Sequence, residues 1–304
     1  MCLLQMRRVG AHLRFVAMQR FTRDGLTFDV RDSGPDNGTP VILLHGFPQT
    51  STCWLKLEPL LHSAGMRTIA PDQRGYSPGA QPDSRRRYAM GELMDDVLAL
   101  MDAVGHKTAH VVGHDWGGAV AWALAGRHAD RFRSVTVLST PHPAALAKAA
   151  RSSAQGLRSW YVGAFQLPGV PELALRGDRA QQMLLRTGLP KPLAQRDAKR
   201  LQQGNTLTGA LNWYRGVAYS RSTPAGRAKL PLTYVWGSQD PFLGRAAAEA
   251  SAEYVVESHR SSYRFVELDA GHWLPETNAD QVAQAIIGRV GAGSTPKRPR
   301  PHSA

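Results

Sequence analysis

His110-Val-Val-Gly-His-Asp-Trp-Gly-Gly118 runs an apolar segment straight into a helical one through Gly-x-Asp-x-Gly. A junction of this kind is a nucleophile elbow, a sharp strand-to-helix turn that exposes its central residue at a sheet edge, here with Asp115 in the position serine commonly takes. Only small neighbours let a chain fold that tightly, and Gly113, Gly117 and Gly118 are in place. The turn also sets Asp115 beside the positive end of the following helix. Taken alone, the motif reads equally well as an aspartate capping a helix after a glycine-rich turn.

Outward from the elbow, short β-branched runs alternate with longer amphipathic ones from residue 26 onward, which predicts an α/β fold with a mostly parallel sheet flanked by helices. Strands are predicted at Leu26–Arg31, Val41–His45, Thr68–Pro71, Ala109–Gly113, Ser134–Leu138, Leu232–Trp236 and Arg264–Leu268. Helices are predicted at Thr52–Ser63, Gly91–Val104, Gly117–His128, Arg245–Val255 and Ala279–Val290, the last with Asn278 and Gln281 spaced as a capping box. Over the 90 residues 141–230 the alternation fails, leaving helix-like pieces and Pro-Gly breaks, and it resumes at Leu232. One sheet is therefore interrupted: residues 18–140 and 231–291 form a core, and 141–230 a helical cap, or lid, over the sheet's carboxyl edge, where open α/β sheets bind ligands.

The 304 residues include 42% apolar and 20% charged side chains, a globular composition that excludes disordered, collagen-like and coiled-coil chains. Two cysteines, Cys2 and Cys53, build neither a disulfide framework nor a multi-cysteine zinc site, so a cytoplasmic setting is expected. No uncharged apolar run reaches the roughly 18 residues of a membrane span. The first 17 residues carry Arg7, Arg8 and Arg14 without a signal peptide's apolar core, and the reading is an early start codon with Met18 as the natural first residue. Residues 1–17 and 292–304 read as disordered tails; removing their three cations apiece from the net charge of +13 leaves +7. Arg85, Arg86 and Arg87 form the internal basic run, read as a solvated loop, and no nucleic-acid partner is expected.

Two further strand ends carry chemistry. Tyr234-Val-Trp-Gly-Ser-Gln-Asp240 ends in an acid and Val266-Glu-Leu-Asp-Ala-Gly-His272 in a base. The order Asp115, Asp240, His272 is that of nucleophile, orienting acid and base in a hydrolase triad. Leu43-Leu-His-Gly-Phe-Pro48 follows another strand, where the Phe47 N–H, with that of Trp116, would form an oxyanion hole. His114 and Cys53 are read as core residues.

Together, His-Gly-Phe-Pro at 45–48, Asp72-Gln-Arg-Gly-Tyr76, Gly-His-Asp-Trp-Gly-Gly at 113–118, Gly-Ser-Gln-Asp at 237–240 and Gly-His272 resemble the epoxide hydrolase branch of the α/β-hydrolases, which is related to haloalkane and fluoroacetate dehalogenases. Leu211-Asn-Trp-Tyr-Arg215 resembles the family segment whose tyrosine donates to the epoxide oxygen, and Trp160-Tyr-Val-Gly-Ala-Phe-Gln-Leu-Pro-Gly169 the segment with the second tyrosine. The resemblance implies Asp115, His272, Asp240, Tyr214 and Tyr161 as catalytic residues, Phe47, Pro48, Trp116 and Phe165 against substrate, and neither metal nor cofactor. It also implies a small hydrophobic epoxide as substrate and leaves room for a homo-oligomer. A carboxylate nucleophile suits this reaction: attack on a saturated carbon gives an ester that activated water can reopen, where serine would leave an ether. A dehalogenase on the same scaffold is the alternative, with two departures: haloalkane dehalogenases carry Asn in place of Phe47, and fluoroacetate dehalogenases Arg in place of Trp116. A noncatalytic ligand-binding protein on a hydrolase scaffold is the other.

Overall fold

A computed structural model describes residues 17–293. The remainder of the two expected tails lies outside the described residues. Eight strands, β1 (Arg20–Arg23), β2 (Leu26–Ser33), β3 (Thr39–Leu44), β4 (Met66–Pro71), β5 (Ala109–His114), β6 (Phe132–Leu138), β7 (Leu232–Gly237) and β8 (Arg264–Leu268), form one sheet in the order β1-β2-β4-β3-β5-β6-β7-β8. The β1–β2 and β2–β4 pairs are antiparallel and the others parallel. β4, β5 and β7 are buried throughout, as expected of strands covered on both faces.

Strand alternation divides the core into two. Ile42, Leu44 and Val111 face a cluster shared with α2 (Met90–Ala103) and α3 (Trp116–Arg127). Val41, Leu43 and Val112 face the opposite cluster, packed by α1 (Glu58–Ser63) and by the last helix among the described residues. Between β6 and β7 run seven helices: α4 (Pro143–Ser152), α5 (Gln155–Arg158), α6 (Trp160–Ala164), α7 (Val170–Ala174), α8 (Asp178–Arg186), α9 (Lys191–Leu201) and α10 (Thr206–Gly216). Four more follow β7: α11 (Arg245–Ala250), α12 (Glu257–Arg260), α13 (Leu274–Thr277) and α14 (Ala279–Gly293). No helix among the described residues is long and apolar enough to cross a membrane.

Several local expectations are corrected. β1 was not foreseen; it pairs with β2 across Asp24-Gly25, both with positive φ, a turn whose Asp-Gly signature is itself a hairpin signal. The helix expected over Thr52–Ser63 splits into a 3-10 turn, Ser51–Trp54, and α1, because Pro59 in the first turn of α1 has no N–H to continue an earlier helix. Arg245–Val255 likewise divides after Ala250 into a 3-10 turn. Arg85–Tyr88 is a 3-10 helix packed on α10, with Tyr88 buried and Arg86 over the Tyr219 ring, in place of a solvated loop. Asn278 binds Gln281 side chain to side chain, Nδ2 donating to Oε1 at 2.7 Å.

Candidate active site

The β5–α3 turn holds Asp115 at φ +50° and ψ −120°, a conformation that costs an aspartate about 1–3 kcal/mol and persists only when its surroundings enforce it. They do. The Asp115 N–H donates to the Leu138 carbonyl at 3.3 Å, and its own carbonyl accepts from Thr140 Oγ1 at 2.8 Å. Gly117 lies so close to the Leu44 carbonyl, and Gly46 so close to the Asp115 side chain, that a Cβ on either would overlap its neighbour. The loop after β3 is thereby pressed onto the elbow. The Phe47 N–H donates to Asp115 Oδ1 at 2.7 Å, and the Trp116 N–H hydrogen-bonds the same carboxylate.

His272 and Asp240 arrive from the ends of β8 and β7. The imidazole Nδ1 lies 2.7 Å from Asp240 Oδ2, and Nε2 is 3.7 Å from Asp115 Oδ2. Asp240 Oδ1 accepts from the Phe242 and Leu243 N–H groups at 2.8 and 3.0 Å, so both oxygens of this buried acid are satisfied. Burial raises the Asp115 carboxyl above its ordinary range, opposed by His272 and the two backbone donors. Burial alone would pull His272 down, but Asp240 and then Asp115 outweigh it and hold the imidazole above 6.5.

A cavity of about 440 Å³ opens above this group. Asp115, His272, Phe47, Pro48, Phe165, Tyr161 and Tyr214 all line it, so the expected nucleophile, base and both tyrosines face one space. Burial, reinforced by the charge on Asp115, pushes both phenols above their ordinary value and keeps their protons on. The Tyr161 and Tyr214 rings lie 6.0 Å apart between centroids, and Tyr214 packs edge-on against Phe47, Trp116 and Phe165. The Trp116 side chain, expected against substrate, is absent from the cavity wall; it packs on Tyr214 and Trp213, which makes it a support for the wall.

Other site residues gave no sequence signal. His114, read as a core residue, donates from Nε2 to the His272 carbonyl at 2.9 Å, and Ser139 donates to the same carbonyl at 2.7 Å. Burial holds His114 well below its ordinary value and therefore neutral. A second buried group joins three elements: Gln49 after β3 and Arg196 of α9 both bind Glu276 of α13, at 2.5 and 2.8 Å, and Arg196 also pairs with Asp197 at 2.8 Å. Burial lifts Glu276 to about 7.

The sequence profile of the alpha/beta hydrolase fold family matches residues 39–279. The chain is 33% identical over 282 residues to the AB hydrolase superfamily protein YfhM of Bacillus subtilis, covering 90% of this chain and 97% of that one. It is 31% identical to Epoxide hydrolase A of Mycobacterium tuberculosis, covering 87% and 94%. The crystal structure of Epoxide Hydrolase A from Mycobacterium thermoresistibile superposes with a TM-score of 0.76 at 27% identity, over 90% of this chain and 97% of that one.

Proposed function

Because the chain belongs to the α/β-hydrolase family, on its epoxide hydrolase branch, we propose that it hydrolyses a hydrophobic organic epoxide to a vicinal diol through an ester on Asp115. The observation that carries this reading is the opposition, across one cavity, of a carboxylate elbow backed by His272 and Asp240 to two protonated phenols, Tyr161 and Tyr214. Residues 18–140 and 231–291 serve as the catalytic body and 141–230 as its cap.

Asp115 Oδ1 is gripped by the Phe47 N–H, so Oδ2 is the oxygen free to attack an epoxide carbon. As that carbon–oxygen bond forms, the ring bond breaks and the alkoxide takes a proton from a cap tyrosine. Two phenol donors suit an alkoxide leaving group, which needs a proton; a halide does not. In the second half-reaction His272 Nε2 takes a proton from water, which attacks the Asp115 carbonyl carbon. Negative charge collects on Oδ1, where the Phe47 and Trp116 N–H groups stabilise it; collapse breaks the bond from the Asp115 carbon to Oδ2, the departing diol oxygen takes the remaining proton of the attacking water, and the proton held by His272 returns to the tyrosinate. Asp240 fixes the tautomer that leaves Nε2 free and stabilises the imidazolium.

The test is the intact mass of folded His272→Gln protein after exposure to a panel of aryl and alkyl epoxides, haloalkanes and fluoroacetate. Loss of the base traps the ester, and an adduct equal to a whole epoxide, mapped to Asp115, is expected. A halide-loss adduct would make the protein a dehalogenase, and no adduct with any member would favour a ligand-binding role.

A further inference from the structure

The net charge of the chain is unevenly placed. Residues 141–230 hold 14 Lys and Arg against three Asp and Glu, a net of +11, whereas the rest of the described chain holds 17 against 21 and is net negative. Two of the three acids in the helical segment are engaged internally, Glu172 with Arg215 and Asp197 with Arg196. Large apolar side chains are exposed on the same segment: Leu157 is 80% and Trp160 72% exposed, and Leu167, Val170 and Leu173 follow within the next turns of chain. Scattered exposed leucines are ordinary, but five large apolar side chains exposed within 17 consecutive residues, 157–173, are more than scatter. Arg158 sits within it, and Arg176 and Arg179 border it, the latter donating to the Leu173 carbonyl at 3.3 Å.

We propose that the α5–α7 face of the inserted helices docks on an anionic lipid surface. An apolar strip rimmed by cations, with a tryptophan in it, is what the boundary between headgroups and acyl chains accepts: the apolar groups enter, and the arginines meet anionic headgroups. A second copy of the chain fits less well, because matching faces would bring two segments of +11 together. A nucleic acid would use the charge and leave the apolar strip uncovered. The face is continuous with the site, since Leu157 and Trp160 also line the Asp115 cavity. An apolar substrate dissolved in the lipid therefore reaches the cavity without crossing water. Only this route rests on the epoxide reading; the docking is independent of it and is tested without turnover.

The experiment is co-sedimentation of the full chain with vesicles of phosphatidylcholine alone and of equal parts phosphatidylcholine and phosphatidylglycerol. Binding to the anionic vesicles, weakened by salt, is expected. The triple variant Leu167→Ser/Val170→Ser/Leu173→Ser, whose positions lie off the cavity wall, should lose it while keeping the wild-type circular dichroism. Arg176→Gln and Arg179→Gln should each weaken it about fivefold. Absence of binding, or binding unchanged in these variants and so due to another part of the chain, would overturn the proposal. So would a dimer in solution that the triple variant dissociates without any vesicle binding, or an equal affinity for duplex DNA that survives the triple substitution.

Discussion

On the proposed mechanism Asp115 and the two tyrosines divide the labour of ring opening, and the division is measurable one residue at a time. Replacing both Tyr161 and Tyr214 with Phe would remove the proposed proton source and leave the proposed nucleophile intact. Alkylation in rapid-mixing experiments is expected to slow by about 10²–10⁴-fold, with the melting temperature little changed. A wild-type alkylation rate would remove the tyrosines from the mechanism. The pH dependence follows from His272. Its value in the free protein is raised by Asp240 and by the Asp115 charge against the pull of burial. Esterification cancels the Asp115 charge, so one support is lost and the imidazole of the intermediate releases its proton at lower pH. The acid limb of ester hydrolysis in single-turnover experiments should therefore lie below the pH at which His272 titrates in the free protein by NMR. Coincident limbs would contradict the role of Asp115 in raising it. The same residues were the legible ones: Asp115, Asp240 and His272 follow the ends of β5, β7 and β8 by one, three and four residues, so chain order alone suggested their meeting.

Elements meet where sequence order offers no guide. The loop after β3, α9 and α13 converge on Glu276, and its partners Gln49 and Arg196 lie 227 and 80 positions away along the chain. Nothing in the local pattern at any of the three announces this buried ion cluster. For the same reason the short helices between β6 and β7, cut by Pro168-Gly169 and Gly188-Leu-Pro190, could be read as helical in kind but not bounded. β1 is a different case, since the Asp24-Gly25 turn was legible and only the brevity of the strand hid it. Glu276 also yields a prediction with a sign. Its folded value of about 7 lies above the ordinary 4.5, so the native state holds the extra proton between those values. The resulting stabilisation is complete below about pH 4.5 and is lost as pH rises through 7. Glu276→Gln should match the wild type in thermal melts near pH 5 and exceed it above pH 8. A variant destabilised equally at both would show that Glu276 is ionised throughout.

At the scale of the molecule, the inserted helices share their core with the sheet. Leu184, Leu201, Leu211 and Trp213 belong to the same apolar cluster as Ile42, Leu44 and Val111, with no polar layer dividing them. Residues packed into one contiguous core unfold together. A single calorimetric transition is expected, with cavity fluorescence and far-ultraviolet circular dichroism melting together. Two resolved transitions would mean that residues 141–230 form an independent unit. The order of the strands, and hence the convergence of three strand ends on one cavity, belongs to this scale too. Alternating strand and helix patterns imply a parallel sheet, but the order β2-β4-β3-β5 comes from pairings that only the assembled molecule displays.

If Asp115 carries the ester as proposed, the grip of the Phe47 N–H on its Oδ1 also decides the fate of individual oxygen atoms. Each turnover would then hand Oδ2 to the diol and refill its place from water, while Oδ1, tethered in the hole, stays with the protein. In heavy-oxygen water the first diol released is expected to carry a light oxygen from the enzyme, and later diols a heavy one. However long the reaction runs, the aspartate then acquires one isotopic label and never two.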